Sequence, residues 1–137
     1  MIIVDTNVLV SGLITTTASA TTARLIDAMV SGQIRPLLSP ALLDEYRAVL
    51  LRAKIVERHG LNIEQIDHLL SAIIQHALWR EPKPARNPAP DPGDRHLWAL
   101  LEAEPSSTLV TGDLRLLNAA PFEARVISVA AYTWPNH

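Results

Sequence analysis

Apolar residues recur along this chain with two different spacings, and the switches between them outline alternating strands and helices. Ile2, Ile3 and Val4 form a short β-branched run that ends at Asp5, the pattern of a buried strand. Leu25, Ile26, Met29 and Val30 fall at helical spacing within 19–31, and Gly32 offers a stop. Residues 34–38 read as a second strand, weakened by Pro36. Ser39 and Pro40 then supply a hydroxyl cap and a first-turn proline for a helix running to about Arg52. Further helices are predicted over 53–59 and 63–77, the latter with Ile66, Leu69, Leu70, Ile73 and Ile74 on one broad face. Leu78 and Trp79 suggest a brief third strand. A helix over 94–102, a strand over 108–110, a short helix over 113–118 and a strand over 125–127 complete the pattern. Strands alternating with helices imply a parallel sheet covered on both faces, with ligands bound beyond the C-terminal strand ends.

Composition narrows this picture. The chain has 137 residues, which suits a single domain spanning 1–137. Prolines 82, 84, 88, 90 and 92 make 81–93 a stiff loop, not a linker, because too little chain follows to build a second core. There is no cysteine, which excludes disulfide scaffolds, thiolate metal sites and thiol catalysis and fits a cytoplasmic protein. The opening Met1–Asp5 lacks the basic segment and long apolar run of a signal peptide, and no stretch is long enough for a membrane span. The formal net charge of -2 does not point to nucleic acid by itself, so a polyanionic substrate would depend on metal ions and a few local basic residues.

Four acids carry the candidate chemistry. Asp5 and Asp113 each follow a predicted strand; if those strands are parallel neighbours, both carboxylates reach one sheet edge. Each also suits a plain helix cap. Glu45 lies at the border of the apolar stripe of Leu42, Tyr46, Val49 and Leu50, whereas Asp44 points away. Asp94 shares a helix face with Leu97, Trp98 and Leu101, which aims it toward the strand ends, although a cap explains it equally well. Asp91 reads as a turn residue, with a supporting or fifth-acid role as the alternative. Ser11 and Thr111 are placed either to hydrogen-bond near such a site or to serve as turn residues. Converging carboxylates without histidine or cysteine suit Mg²⁺ or Mn²⁺. The five histidines show no zinc-binding spacing. Mutual repulsion in such a cluster implies that removing one charge, as in Asp5→Asn, relieves strain in the metal-free fold.

Asp5-Thr6-Asn7 after the first strand and Thr111-Gly112-Asp113 after a later one, with Glu45 and Asp94 between them in order, resemble the PIN-domain family. The run Asp91-Pro92-Gly93-Asp94 resembles a subgroup of toxins from toxin–antitoxin systems (VapC-like). The resemblance covers essentially the whole chain. It implies a three-layer α/β/α fold with a five-stranded parallel sheet, and a metal-dependent endoribonuclease with Asp5, Glu45, Asp94 and Asp113 as ligands. It also implies an RNA substrate, a cognate antitoxin that occludes the acids with a basic side chain, and Asn7 as an orienting partner of Asp5. Arg95 stands where another acid is common in the subgroup and is expected to temper the charge beside Asp94.

Other readings weigh less. A phosphatase of the haloacid-dehalogenase type needs a second aspartate where Asn7 stands, and a receiver domain needs a late lysine, but none follows Lys83. The remaining alternative is a PIN-fold binding module with little catalysis. Arg52, Lys54, Arg80, Lys83 and Arg86 are candidate phosphate contacts. The broad stripe on 63–77 is expected to exceed what the core can cover and to form a homodimer.

Overall fold

The computed structural model describes residues 1–134. His137 and the end of the expected domain lie outside them. Five strands and seven α-helices alternate among the described residues: β1 (Ile2–Val4), α1 (Thr6–Ile14), α2 (Thr21–Ser31), β2 (Leu37–Leu38), α3 (Pro40–Leu50), α4 (Ala53–His59), α5 (Ile63–His76), β3 (Leu78–Trp79), α6 (Arg95–Ala103), β4 (Thr108–Val110), α7 (Leu114–Leu117) and β5 (Val126–Ile127). No helix among the described residues is long and apolar enough to cross a membrane.

Every strand pair is parallel, as the alternation of elements implies, but the pairs do not form one five-stranded sheet. β1, β4 and β5 hydrogen-bond in the order β1-β4-β5, while β2 and β3 form a separate two-stranded ladder. The expected five-stranded sheet is therefore corrected to three strands plus two. The break has a local cause. On β1, Asp5 N–H donates to the Val110 carbonyl and the Met1 carbonyl accepts from Thr108 N–H, so odd-numbered residues face β4. By strand alternation the Val4 carbonyl faces away from β4. That carbonyl is taken by the buried hydroxyl of Tyr46, reaching across from α3. A tyrosine hydroxyl thus stands where a neighbouring strand would donate, and β2 offers only two paired residues after Pro36.

α1 is the helix that the apolar pattern does not announce. Val8 and Val10 are β-branched and Gly12 lowers helix propensity further. The helix forms because Asp5 caps it, its Oδ1 accepting from Thr6 N–H at 2.8 Å, and because Val8 and Leu9 are buried in the core. Gly12 has a separate reason to be glycine. A Cβ there would lie 2.6 Å from the Thr22 carbonyl oxygen and 2.5 Å from a carbon of Ile26, so only glycine lets α2 approach this closely.

The predicted ends of α2, α3 and α5 fit their chemistry. Gly32 closes α2 at φ 83°, a left-handed cap. Ser39 Oγ accepts from Leu42 N–H to start α3. Asn62 and Gln65 form a reciprocal capping box at α5. Much of the apolar stripe on α5 is used within the chain: Ile66, Leu70 and Ile73 are buried, and Ile63 and Ile74 stay exposed. The proline-rich loop is also tied down. The Glu102 carboxylate accepts from the backbone N–H groups of Arg86 and Asn87 and from the Asn87 amide, and Ala85 is buried.

Candidate active site

The register of β1 against β4 brings two carboxylates to one edge. Val4 pairs with Val110, so the residues that follow, Asp5 and Thr111-Gly112-Asp113, leave the sheet side by side. α3 contributes Glu45, and the turn Pro92–Asp94 before α6 contributes Asp94. All four acids, with Asp91, Asn7 and Ser11, line one cleft of about 610 Å³ that also holds Thr6, Val10, Val49, Arg52, Ile55, Gly93 and Arg115.

Asp5 is the most enclosed of the acids and the most firmly held. Its Oδ2 accepts from the Thr111 hydroxyl at 2.7 Å and from the Asn7 amide at 3.3 Å, and its Oδ1 caps α1. Thr111 Oγ1 in turn accepts from Asp113 N–H at 3.0 Å, and Asn7 Oδ1 accepts from Gly112 N–H at 3.2 Å. One small network thus fixes the first strand end to the fourth. Burial raises the Asp5 carboxyl above its ordinary pKa; hydrogen bonds from Thr111 and Thr6 oppose this, and the charges of Glu45 and Asp113 add to it. Tyr46, buried beneath, has its phenol raised by burial and by the charges of Asp5 and Glu45, so it stays a neutral donor to Val4.

Asp94 has no side-chain capping bond at the start of α6. Its carboxyl is pushed up to about 6, first by burial and then by the charges of Asp5, Asp113, Asp91 and Glu45. Asp94 thus feels the other four acids across the cleft. Asp91 is also a turn residue, its Oδ1 accepting from Gly93 N–H at 2.8 Å. Ser11 lines the cleft without a side-chain hydrogen bond to an acid among the described residues.

Two basic side chains that meet the acids have no signature in the sequence pattern. Arg115 donates to Asp113 from Nη2 at 3.3 Å and from Nε at 3.5 Å, and its backbone N–H is capped by Asp113 Oδ1 at 2.9 Å. Burial pushes the Asp113 carboxyl up, but the bonds and charge of Arg115 bring it below its usual range. His96 Nε2 lies 2.6 Å from Glu45 Oε2. The approach is off-line, so both buried atoms lack a hydrogen-bond partner among the described residues. Histidine spacing could not reveal this, because the partner comes from another helix. Arg95, expected to temper Asp94, instead turns away and donates to the Ala85 carbonyl at 2.9 Å. The structure also sorts the candidate phosphate contacts. Arg52 lines the cleft, Arg80 is paired with Glu104, and Lys83 and Arg86 line a separate hollow of about 460 Å³.

The donor set fits a hard divalent cation in kind. It is all carboxylate oxygen, its members repel one another, and Glu45 Oε2 is a buried acceptor without a hydrogen-bond partner. The side chains as they stand are more open than a finished cage: among the described residues, no three His, Asp or Glu side chains are gathered closely enough to hold an ion. Asp113 is turned to Arg115 and Glu45 to His96.

The fold is thus a parallel-strand α/β arrangement with acids gathered at one sheet edge. The chain belongs to the PIN domain family, which matches it over residues 1–115. PIN domains are in general nucleases, and so hydrolases. Neither the curated proteins nor the solved structures gave a match.

Proposed function

We propose that this PIN domain is a metal-dependent endoribonuclease acting in the cytoplasm as the toxin of a toxin–antitoxin pair. The observation that carries the catalytic reading is the five-acid cleft, whose crowding is felt most by Asp94. Asp5, Glu45, Asp94 and Asp113 would hold Mg²⁺ or Mn²⁺. Bound there, the ion supplies the charge that lowers the pKa of a water and stabilises the leaving oxygen of a phosphodiester. Thr111 and Asn7 hold Asp5 in one orientation. Asp91 adds its negative charge to the cleft while shaping the turn, and Ser11 offers a hydroxyl to the cleft wall. Arg115 must leave Asp113, and Glu45 must turn from His96, for the four acids to close.

The proposed antitoxin would act through the same electrostatics. Arg115 on Asp113 is an internal example of a guanidinium seated on these acids. A partner that presents an Arg or Lys to the Asp5–Asp113 edge would block the site in that manner. A homodimer through the exposed Ile63 and Ile74 of α5 completes the proposed assembly.

The test is cleavage of single-stranded RNA by purified protein with EDTA, Mg²⁺ or Mn²⁺. Cleavage that is absent in chelator and restored by either ion is expected. Full activity in excess EDTA would overturn the metal mechanism, and no cleavage under any condition would favour the binding-module alternative.

A further inference from the structure

An acid cleft that cuts a polyanion has an electrostatic problem beyond the metal. Each nucleotide brings a negative phosphate toward five carboxylates. Metal charge acts at the scissile phosphate, so neighbouring phosphates need cations of the protein's own. Two basic side chains line the cleft, and they come from different walls. Arg52 stands at the junction of α3 and α4, and Arg115 stands in the first turn of α7.

Both are available. Arg52 makes no side-chain hydrogen bond or ion pair among the described residues. Arg115 is held only loosely: its contacts to Asp113 are 3.3 and 3.5 Å, longer than a firm charge-assisted bond, and its side chain is 64% exposed. An exposed pair of this kind contributes little and is readily exchanged. Other arginines are committed elsewhere. Arg47 is bonded twice to Asp67, Arg80 is paired with Glu104, and Arg125 donates to three backbone carbonyls.

We propose that Arg52 and Arg115 form a two-sided clamp on the phosphates flanking the scissile bond of a single-stranded RNA, with Arg115 resting on Asp113 until the site fills. A guanidinium suits this task because its fork of donors matches two phosphate oxygens. At about 610 Å³ the cleft has the size of a site for a short segment of strand, within the roughly 300–1,000 Å³ of small-ligand sites. The clamp rests on the nuclease reading of the same cleft.

The experiment measures binding of a short fluorescent RNA over a series of KCl concentrations, in Ca²⁺ buffer with the RNA checked for integrity. For single strands, each phosphate contact contributes about 0.7 to the slope of log K against log salt concentration. Arg52→Ala and Arg115→Ala should each lower that slope by about 0.7, and the double variant by about 1.4. Arg115→Lys, which keeps the charge, should restore most of the slope. Arg80→Ala, remote from the cleft, should leave it unchanged. Thermal melts establish that each variant is folded. Unchanged slopes in folded Arg52→Ala and Arg115→Ala would overturn the clamp, as would wild-type protein with no saturable RNA binding. If those slopes are unchanged while wild type still cleaves in Mn²⁺, the clamp fails and the nuclease reading stands. If the slopes fall as expected and wild type cleaves no RNA in Mn²⁺, the two arginines hold phosphates, but the nuclease reading fails and with it the placement of the clamp at a scissile bond.

Discussion

Asp94→Asn should stabilise the metal-free protein near pH 7 and at the same time reduce RNA cleavage by at least about 100-fold. Asp94 carries a charge that burial and four neighbouring acids oppose, and no capping hydrogen bond of its own would be lost. Its folded carboxyl titrates near 6, against 3.8 without those influences. The folded state therefore binds this proton more tightly than the unfolded chain does. The stability linked to that proton is complete below about pH 4 and is lost as pH rises through about 6. The amide removes this loss. The gain near neutral pH should be on the order of 1 kcal/mol after allowance for solvent screening, and it should vanish near pH 4. Urea unfolding of both proteins across that range measures it. A gain independent of pH would mean that Asp94 is not the strained group.

Asp5→Asn should lose cleavage as severely but should not show the same stabilisation. Here the structure reverses the expectation drawn from charge repulsion alone. Asp5 Oδ2 accepts from Thr111 and Asn7 together. An amide nitrogen in that place faces two donors. Thr111 can rotate its hydroxyl, but the Asn7 amide cannot turn over without meeting Gly112 N–H, which its Oδ1 now accepts. An unsatisfied buried donor costs about 1–3 kcal/mol, enough to cancel the relief of a buried charge. Metal-free Asp5→Asn should therefore melt at or below wild type, whereas Asp94→Asn melts above it. Equal stabilisation in the two variants would show that the hydrogen bonds around Asp5 contribute little.

These two residues also show what the sequence makes legible. Asp5 and Asp113 can be placed together because Asp5 directly follows an apolar run and Asp113 follows another by a Thr-Gly step, and parallel strands carry such ends to one edge. Glu45 and Asp94 follow from helical periodicity, since a wheel gives the direction of a side chain. The partners of those acids are harder to read. His96 meets Glu45 through the contact of α6 with α3, and the Tyr46 hydroxyl meets Val4 across the core. Neither contact has a local pattern. Arg95 and Arg115 illustrate the same limit. Arg95 adjoins Asp94 in sequence yet turns to the proline-rich loop, while Arg115, two residues past Asp113, folds back onto it. The divided sheet was hidden for a related reason: strand content is written in runs of apolar residues, but whether a carbonyl is taken by a strand or by a tyrosine is decided by tertiary structure.

The proposed nuclease requires above all that this acid cleft bind a divalent cation through Asp5, Glu45, Asp94 and Asp113. The direct measurement is calorimetric titration of Mn²⁺ into metal-stripped wild type, Asp5→Asn and Asp94→Asn near pH 7. Saturable binding to wild type is expected, with affinities weaker by at least about tenfold in each variant. Wild type with no saturable binding, or three proteins with the same affinity, would contradict it.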